Sequence, residues 1–214
     1  SIVTDIAGTT RDTVNQRFTK FGMDFVLLDT AGLRKKVKVH EDLEFYSNMR
    51  TLRTIEDSDV CMLVIDAAHG LEAQDLAIIS VIHKNRKGLI VVVNKWDLVE
   101  KQTQTLEEYK AAIKKRLQPF NDVPIIFTSA LTKQRVLKAI EEAMEVYRRR
   151  STRISKTDLN ERLLSIVKYQ PPPIYKGKEI KIKFITQLPT KYPQFVFFCN
   201  LPQYVKDSYS RFVE

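Results

Sequence analysis

The sequence predicts a doubly wound, mostly parallel α/β sheet followed by a small α+β domain, and three observations predict it. Residues 89–93 (LIVVV) form a short apolar run, β-branched after the first position, between Gly88 and the polar Asn94. Such a run is too short for a bilayer and too uniform for a half-exposed edge, so it reads as a strand covered by helices on both faces. Further strand-like runs at residues 24–28, 60–66 and 122–127 alternate with segments of helical periodicity, the pattern that builds a parallel sheet. Beyond residue 153 the pattern changes to helix, two strands and helix, with the alternating EIKIKFI of residues 179–185 at its centre.

Each element follows from local pattern. Residues 5–12 are short on apolar side chains and contain Gly8, so they form a loop. Residues 13–21 alternate loosely and should pair antiparallel, as an edge strand, with residues 24–28. The RKKVK of residues 34–38 has no apolar period and reads as a loop, either simply solvated or touching RNA phosphates. Residues 46–55 put Met49, Leu52 and Ile55 on one helical face, and VCMLVID at 60–66 is a buried strand whose last residue, Asp66, faces the ligand side. Helices follow at 73–83 (Leu76, Ile79, Ile82 inward) and 106–117, then the strand at 122–127 and a long amphipathic helix at 133–149.

The basic run of residues 148–153 marks the boundary between a first domain, 1–152, and a second, 153–214. In the second, Ser155 or Thr157 caps a helix at 156–168 carrying Leu159, Leu163, Leu164 and Val167. Three prolines at 171–173 stop it. The strand at 179–185 should turn Ile180, Ile182 and Phe184 inward and Lys181 and Lys183 outward; a return strand at 195–199 and a last helix at 202–214 complete the domain.

The chain of 214 residues carries a net charge of +9. The surplus is uneven: residues 151–214 hold 11 Lys/Arg against 5 Asp/Glu, and residues 1–150 hold 24 against 21. The second domain is therefore the better polyanion binder, although a basic surface also serves plain solubility. Cys61 and Cys199 lie in apolar runs and are expected as buried thiols of a reducing cytosol, too few for a disulfide framework or a zinc site. His40, His69 and His83 are scattered without metal-ligand spacing. No apolar run reaches transmembrane length and no signal peptide is visible.

Ligands of open α/β sheets bind beyond the carboxyl ends of the strands, and polar motifs stand at three such ends: DTAGL at 29–33, NKWD at 94–97 and TSAL at 128–131. A carboxylate such as Asp97 only accepts, so it can take two parallel hydrogen bonds from adjacent N–H and NH₂ donors, which guanine offers and adenine does not. Asn94 can donate to a base or to neighbouring loops, and the aliphatic stem of Lys95 can lie over a base. An ordinary polar turn after a buried strand is the plain alternative for any one of these motifs.

Together, DTAG, NKWD and SAL resemble the G3, G4 and G5 motifs of translation-factor-type GTPases, and AGTTRD at 7–12 resembles the G2 switch. With the tail QPPPIYKGKEIKIKFITQ, nearly the whole chain resembles the Der (EngA) family of bacterial ribosome-assembly GTPases, in particular its second GTPase domain and the KH-like domain after it. The resemblance implies a P-loop-NTPase-type fold, binding and hydrolysis of GTP, and a role in large ribosomal subunit assembly with rRNA as partner, in a cytoplasmic monomer without membrane association. It implies a GTP site of Asp29, Thr30, Ala31, Gly32, Leu33, Asn94, Lys95, Trp96, Asp97, Ser129, Ala130 and Leu131. The Gly32 N–H would bind the γ-phosphate, and the backbone N–H groups of residues 128–130 would meet the guanine O6. Mg²⁺ would be reached by the Thr10 hydroxyl and, through water, by Asp29; K⁺ would sit among the Thr4 and Ile6 carbonyls and the Thr9 hydroxyl.

The sequence departs from the pattern in three places. Leu33 stands where signalling GTPases have a Gln that orients the attacking water, so catalysis falls to the K⁺ in the arginine-finger role or to a polar group from the second switch or a partner. No GxxxxGK[ST] phosphate loop occurs; roughly 30 or more residues of a βα unit are expected before Ser1, with a further GTPase domain upstream and a C-terminal truncation. As written, the chain is expected to bind nucleotide poorly. The KH-like part has no GXXG loop, and YKGK at 175–178 does not replace one, so RNA contact would be electrostatic, or the domain would dock on the GTPase domain and report its nucleotide state. A non-enzymatic RNA- or ribosome-binding module that keeps the GTPase fold as a scaffold is the alternative function.

Overall fold

The computed structural model describes residues 15–28, 51–100, 105–120 and 122–213. The chain divides into two units, Ser1–Tyr147 and Arg148–Glu214.

In the first unit, β1 (Asn15–Phe18) and β2 (Phe25–Leu28) pair antiparallel, from Asn15 opposite Leu28 to Phe18 opposite Phe25. Phe21 and Gly22 take φ of 56° and 71°, and the Met23 N–H closes onto the Lys20 carbonyl at 3.0 Å. This is the two-residue turn whose twist matches a hairpin. It consumes residues that the loose alternation had assigned to the strands, so both are shorter than expected.

The helical residues 51–57 (α1) bury Thr51, Thr54 and Ile55 and leave Leu52 exposed. The inward stripe is thus shifted from the Met49/Leu52/Ile55 face; Met49 lies outside the described residues. Two threonines on the covered face hid this from a hydrophobicity reading.

Three strands, β3 (Val60–Asp66), β4 (Gly88–Asn94) and β5 (Ile125–Phe127), form a parallel sheet in that order. The connections are helices: α2 (Ala73–Lys84) between β3 and β4, and α3 (Thr105–Leu117) between β4 and β5. The central strand explains the apolar run. Val91 and Val93 join a core with Leu63, Ile65, Ile79, Ile113, Leu117, Ile125 and Phe127, which belongs to the α2/α3 face. Ile90 and Val92 point the other way, against Ala139 of α4 (Val136–Ser151). A strand with helices on both faces has no side for polar residues until its tip. β3 is covered less evenly than expected, because Leu63 and Ile65 enter the core while Val64, on the opposite face, is exposed.

In the second unit, α5 (Lys156–Tyr169) is followed by an antiparallel pair, β6 (Ile182–Gln187) and β7 (Phe195–Cys199), and by α6 (Asp207–Val213). Ser155 caps α5, its Oγ accepting the Asp158 N–H at 3.1 Å. β6 departs from the expected inward face. The register shifts between Ile182 and Phe184, a bulge that moves every later side chain to the other face. Ile180 still points inward, but Phe184 is 47% exposed and stacks on Phe198 at 4.1 Å, while Ile185 is 0% exposed. Asn160 secures the shifted strand: its carboxamide accepts the Ile185 N–H at 2.8 Å and donates to the Ile185 carbonyl at 2.9 Å. Both cysteines are half-buried free thiols rather than core residues. No helix among the described residues is long and apolar enough to cross a membrane.

The bulge predicts an inverted pair of substitution costs. Ile185→Ala should destabilise the second unit by about 2–5 kcal/mol, the range for truncating a buried aliphatic side chain. Phe184→Ala should cost about 1 kcal/mol, the value of one exposed aromatic pair. Urea unfolding of the two variants checks the order; a costlier Phe184→Ala would restore the uninterrupted alternation.

Candidate functional site

The three parallel strands end together, and backbone bonds lace their tips. Asp66 of β3 is in register with Asn94 of β4, and the Ala67 N–H donates to the Asn94 carbonyl at 2.9 Å. On the other side the Thr128 N–H donates to Val93 O at 2.8 Å, and the Trp96 N–H to Thr128 O at 3.0 Å. The polar residues after each strand therefore meet on one edge of the sheet.

Asn94 faces β5. Its Oδ1 accepts the Ala130 N–H at 3.0 Å and lies 3.5 Å from the Thr128 Oγ1, so its Nδ2 hydrogens are directed elsewhere. Lys95 leaves β4 in the left-handed region with φ of 61°, a conformation uncommon for a residue with a side chain and frequent at functional turns. Its ammonium reaches back to Asp66 Oδ2 at 2.8 Å. Trp96 opens a short 3₁₀ turn, Trp96–Leu98, and its indole is buried between Tyr109, edge-on at 5.3 Å, and Phe127 at 4.4 Å. The ring anchors the turn in the core.

Asp97 follows directly from that anchor. Its Oδ1 is buried and has no hydrogen-bond partner among the described residues. A buried acceptor left unmatched costs on the order of 1–3 kcal/mol, so this oxygen marks where a donor belongs.

The β5 loop is ordered around a buried serine. Ser129 is fully buried, its N–H donating to Gln134 O at 3.2 Å and its Oγ accepting the Thr132 N–H at 3.2 Å. The N–H groups of Thr128, Ser129 and Ala130, expected to point at a guanine oxygen, are thus all paired within the protein, because the strand ladder, the loop bridge and Asn94 take one each. Leu131 is exposed.

The structure accordingly gathers Asn94, Lys95, Trp96, Asp97, Ser129, Ala130 and Leu131 at one set of strand tips. Asp29, Thr30, Ala31, Gly32 and Leu33, and Thr4, Ile6, Thr9 and Thr10, lie outside the described residues. Among the described residues no group of three or more His, Cys, Asp or Glu side chains could hold a metal ion.

Residues 1–95 match the family model for 50S ribosome-binding GTPase, and residues 153–214 match that for the C-terminal KH-domain-like region of EngA bacterial GTPase enzymes. The chain is 58% identical over 213 residues to GTPase Der of Flavobacterium psychrophilum, covering 100% of this chain and 49% of that protein. It is 59% identical over 216 residues to GTPase Der of Bacteroides thetaiotaomicron, with the same coverage of each. This chain belongs to the GTPase Der (EngA) family. It spans about half the length of the curated Der relatives it matches. Among solved structures, Era in complex with MgGDPNP and a segment of 16S ribosomal RNA aligns with a TM-score of 0.61 at 24% identity, over 99% of this chain and 76% of that one. That likeness places the Der-family chain in the P-loop GTPase fold.

Two residues around the Der-family motifs belong to none of them. Asp66 holds Lys95 and also accepts the Ala68 N–H at 2.9 Å. Tyr109 of α3 donates its hydroxyl to Ala67 O at 2.6 Å while its ring packs on Trp96. The sequence places Asp66 at a strand end facing the ligand side without naming its partner, and nothing in it singles out Tyr109 within the helix of residues 106–117. The Lys95 ammonium, then the Ala68 N–H, hold the Asp66 carboxyl below its ordinary range against an opposing effect of burial, with His69 adding a smaller charge effect. Burial, then the Asp66 charge, push the Tyr109 hydroxyl above its ordinary range.

A depressed carboxyl contributes stability that is complete above its unfolded pKa and is lost as pH falls through its folded one. Asp66 should therefore steepen acid unfolding below the ordinary carboxylate range. Asp66→Asn should remove at most about 1 kcal/mol at neutral pH, since Lys95 is half exposed and screened, and should flatten the acid limb. Thermal melts of both proteins from neutral to strongly acid pH test this; parallel curves would show that the pair contributes nothing.

Proposed function

We propose that this Der-family chain carries the base pocket of a GTP-binding, GTP-hydrolysing switch that acts in assembly of the large ribosomal subunit. The observation that carries this reading is the buried, unpartnered Asp97 Oδ1 at the convergence of three strand tips. Guanine presents N1–H and the 2-amino group side by side, and the Asp97 carboxylate can accept both. Without ligand the Asn94 Oδ1 holds the Ala130 amide, and its Nδ2 hydrogens are left to donate to the base. Of the three loop amides, that of Ala130 has a side-chain partner rather than a backbone one. It is the one that can be re-aimed at the guanine O6 with the smallest rearrangement.

Phosphate and metal chemistry belongs to Thr10, Asp29 and the backbone of Gly32, with Thr4, Ile6 and Thr9 toward K⁺. These are hydroxyl, carboxylate and carbonyl oxygens, the donor set that suits hard cations. Mg²⁺ bound there would neutralise phosphate charge. Leu33 cannot orient water, so slow intrinsic hydrolysis is expected. The family description for residues 1–95 supports the large subunit as partner, and the basic surplus of residues 151–214 supports rRNA contact through the second unit. The reading takes the protein to be a cytoplasmic monomer. A scaffold without nucleotide fits less well, because it would retain a buried orphan carboxylate oxygen with nothing to satisfy it.

Asp97→Asn presents a donor where the carboxylate accepted, which matches the 2-oxo group of xanthine instead of the 2-amino group of guanine. In the full-length protein this change should create XDP binding tighter by about tenfold or more than in the unaltered protein, measured by isothermal titration. No gain of XDP binding would overturn the base pocket.

A further inference from the structure

Asp66 lies in no nucleotide motif, yet its surroundings fix it firmly. Its Oδ1 accepts the Ala68 N–H at 2.9 Å, its Oδ2 faces the Lys95 ammonium at 2.8 Å, and His69 Nδ1 stands 3.9 Å away. The backbone under it is held as well. Ala67 is bonded to Asn94 through its N–H and to Tyr109 through its carbonyl, and the Gly70 N–H turns back onto the Asp66 carbonyl at 2.9 Å. The Asp66 side chain is 15% exposed, while that of Lys95 is 57% exposed.

A lysine stem exposed to that degree has many rotamers, and ordering one costs up to about 2 kcal/mol. The ion pair imposes the order beforehand. Lys95 Cα sits just past the last residue of β4, and Asp66 is the last residue of the neighbouring β3. Neighbouring strands lie about 4.8 Å apart, so a lysine anchored at both points must run across the gap.

We propose that Asp66 is a positioning residue of the base pocket. By holding the Lys95 ammonium at the tip of β3, it draws the aliphatic stem across the strand tips as a ready apolar wall for one face of the purine. The wall is uncharged overall, because each charge neutralises the other, and it is ordered before the ligand arrives, which lowers the cost of binding. Tyr109 supports the arrangement from below through the Ala67 carbonyl. The proposal rests on the guanine-pocket reading.

The test is a double-mutant cycle in full-length protein carrying Asp97→Asn, where XDP binding reports this pocket and excludes any other guanine site. Asp66→Asn removes the charge and keeps the shape; Lys95→Met removes the ammonium and keeps the stem. Asp66→Asn should weaken XDP binding about threefold to tenfold when Lys95 is present, and less than twofold in the Lys95→Met background, since there is no ammonium left to hold. Circular dichroism melts run alongside, because a purely structural Asp66 would lower affinity equally in both backgrounds. Equal losses, or no loss beside Lys95, overturn the positioning role while leaving the pocket intact. Complete failure of Asp97→Asn to bind XDP removes the pocket and this role with it.

Discussion

Burial of β4 on both faces is the constraint from which the rest of the first unit follows. Val91 and Val93 are claimed by one helical layer and Ile90 and Val92 by the other; the strand is central, and its neighbours, joined to it through helices, run parallel to it. Parallel strands connected through helices end on the same edge, and the polar residues that cannot enter either core are all delivered there. The candidate site at these tips is thus a by-product of core packing. Loosening the β4 core would move Asn94, Lys95 and Asp97 together, since all three lie at or just beyond the end of that strand.

What was legible in the sequence and what was not divides along physical lines. Runs such as LIVVV and VCMLVID announce strands because their periodicity is local, and NKWD and TSAL announce a site because their polarity breaks that periodicity at a fixed place. The partners of those residues are not local. The pairing of Ala130 N–H with Asn94, and of Asp66 with Lys95, spans 36 and 29 residues and depends on strand order. The bulge in β6 is hidden for a related reason. EIKIKFI alternates without a flaw, and only the pairing with β7 and the grip of Asn160 on Ile185 decide where the alternation slips.

Both units solve the same problem with the same chemistry. Where a strand ends or lacks a neighbour, a carboxamide supplies the missing donor or acceptor of a backbone group. Asn160 serves Ile185, Asn200 serves Lys181 and Glu179, and Gln187 serves Ile154 and Thr152. Asn94 does this for Ala130. The first three bind both an N–H and a carbonyl, so each is fixed from two sides. Asn94 holds the Ala130 amide through its oxygen alone.

That difference bears on how the proposed pocket would behave before a nucleotide arrives. A loop whose amides were all aimed at an absent base would carry unsatisfied donors and tend to open. Here the ladder and the loop bridge satisfy Thr128 and Ser129 permanently, and Asn94 satisfies Ala130 through a single bond to a half-buried side chain. The tips of β4 and β5 therefore stay joined without ligand. If the base pocket is as proposed, the Asp97 carboxylate with its orphan Oδ1 matches a base with two adjacent donors, and the Ala130 amide can exchange one carbonyl-type acceptor for another. On the proposed reading, selectivity rests on the Asp97 carboxylate, whose Oδ1 is buried and unpartnered among the described residues, and closure rests on the exchangeable Ala130 amide.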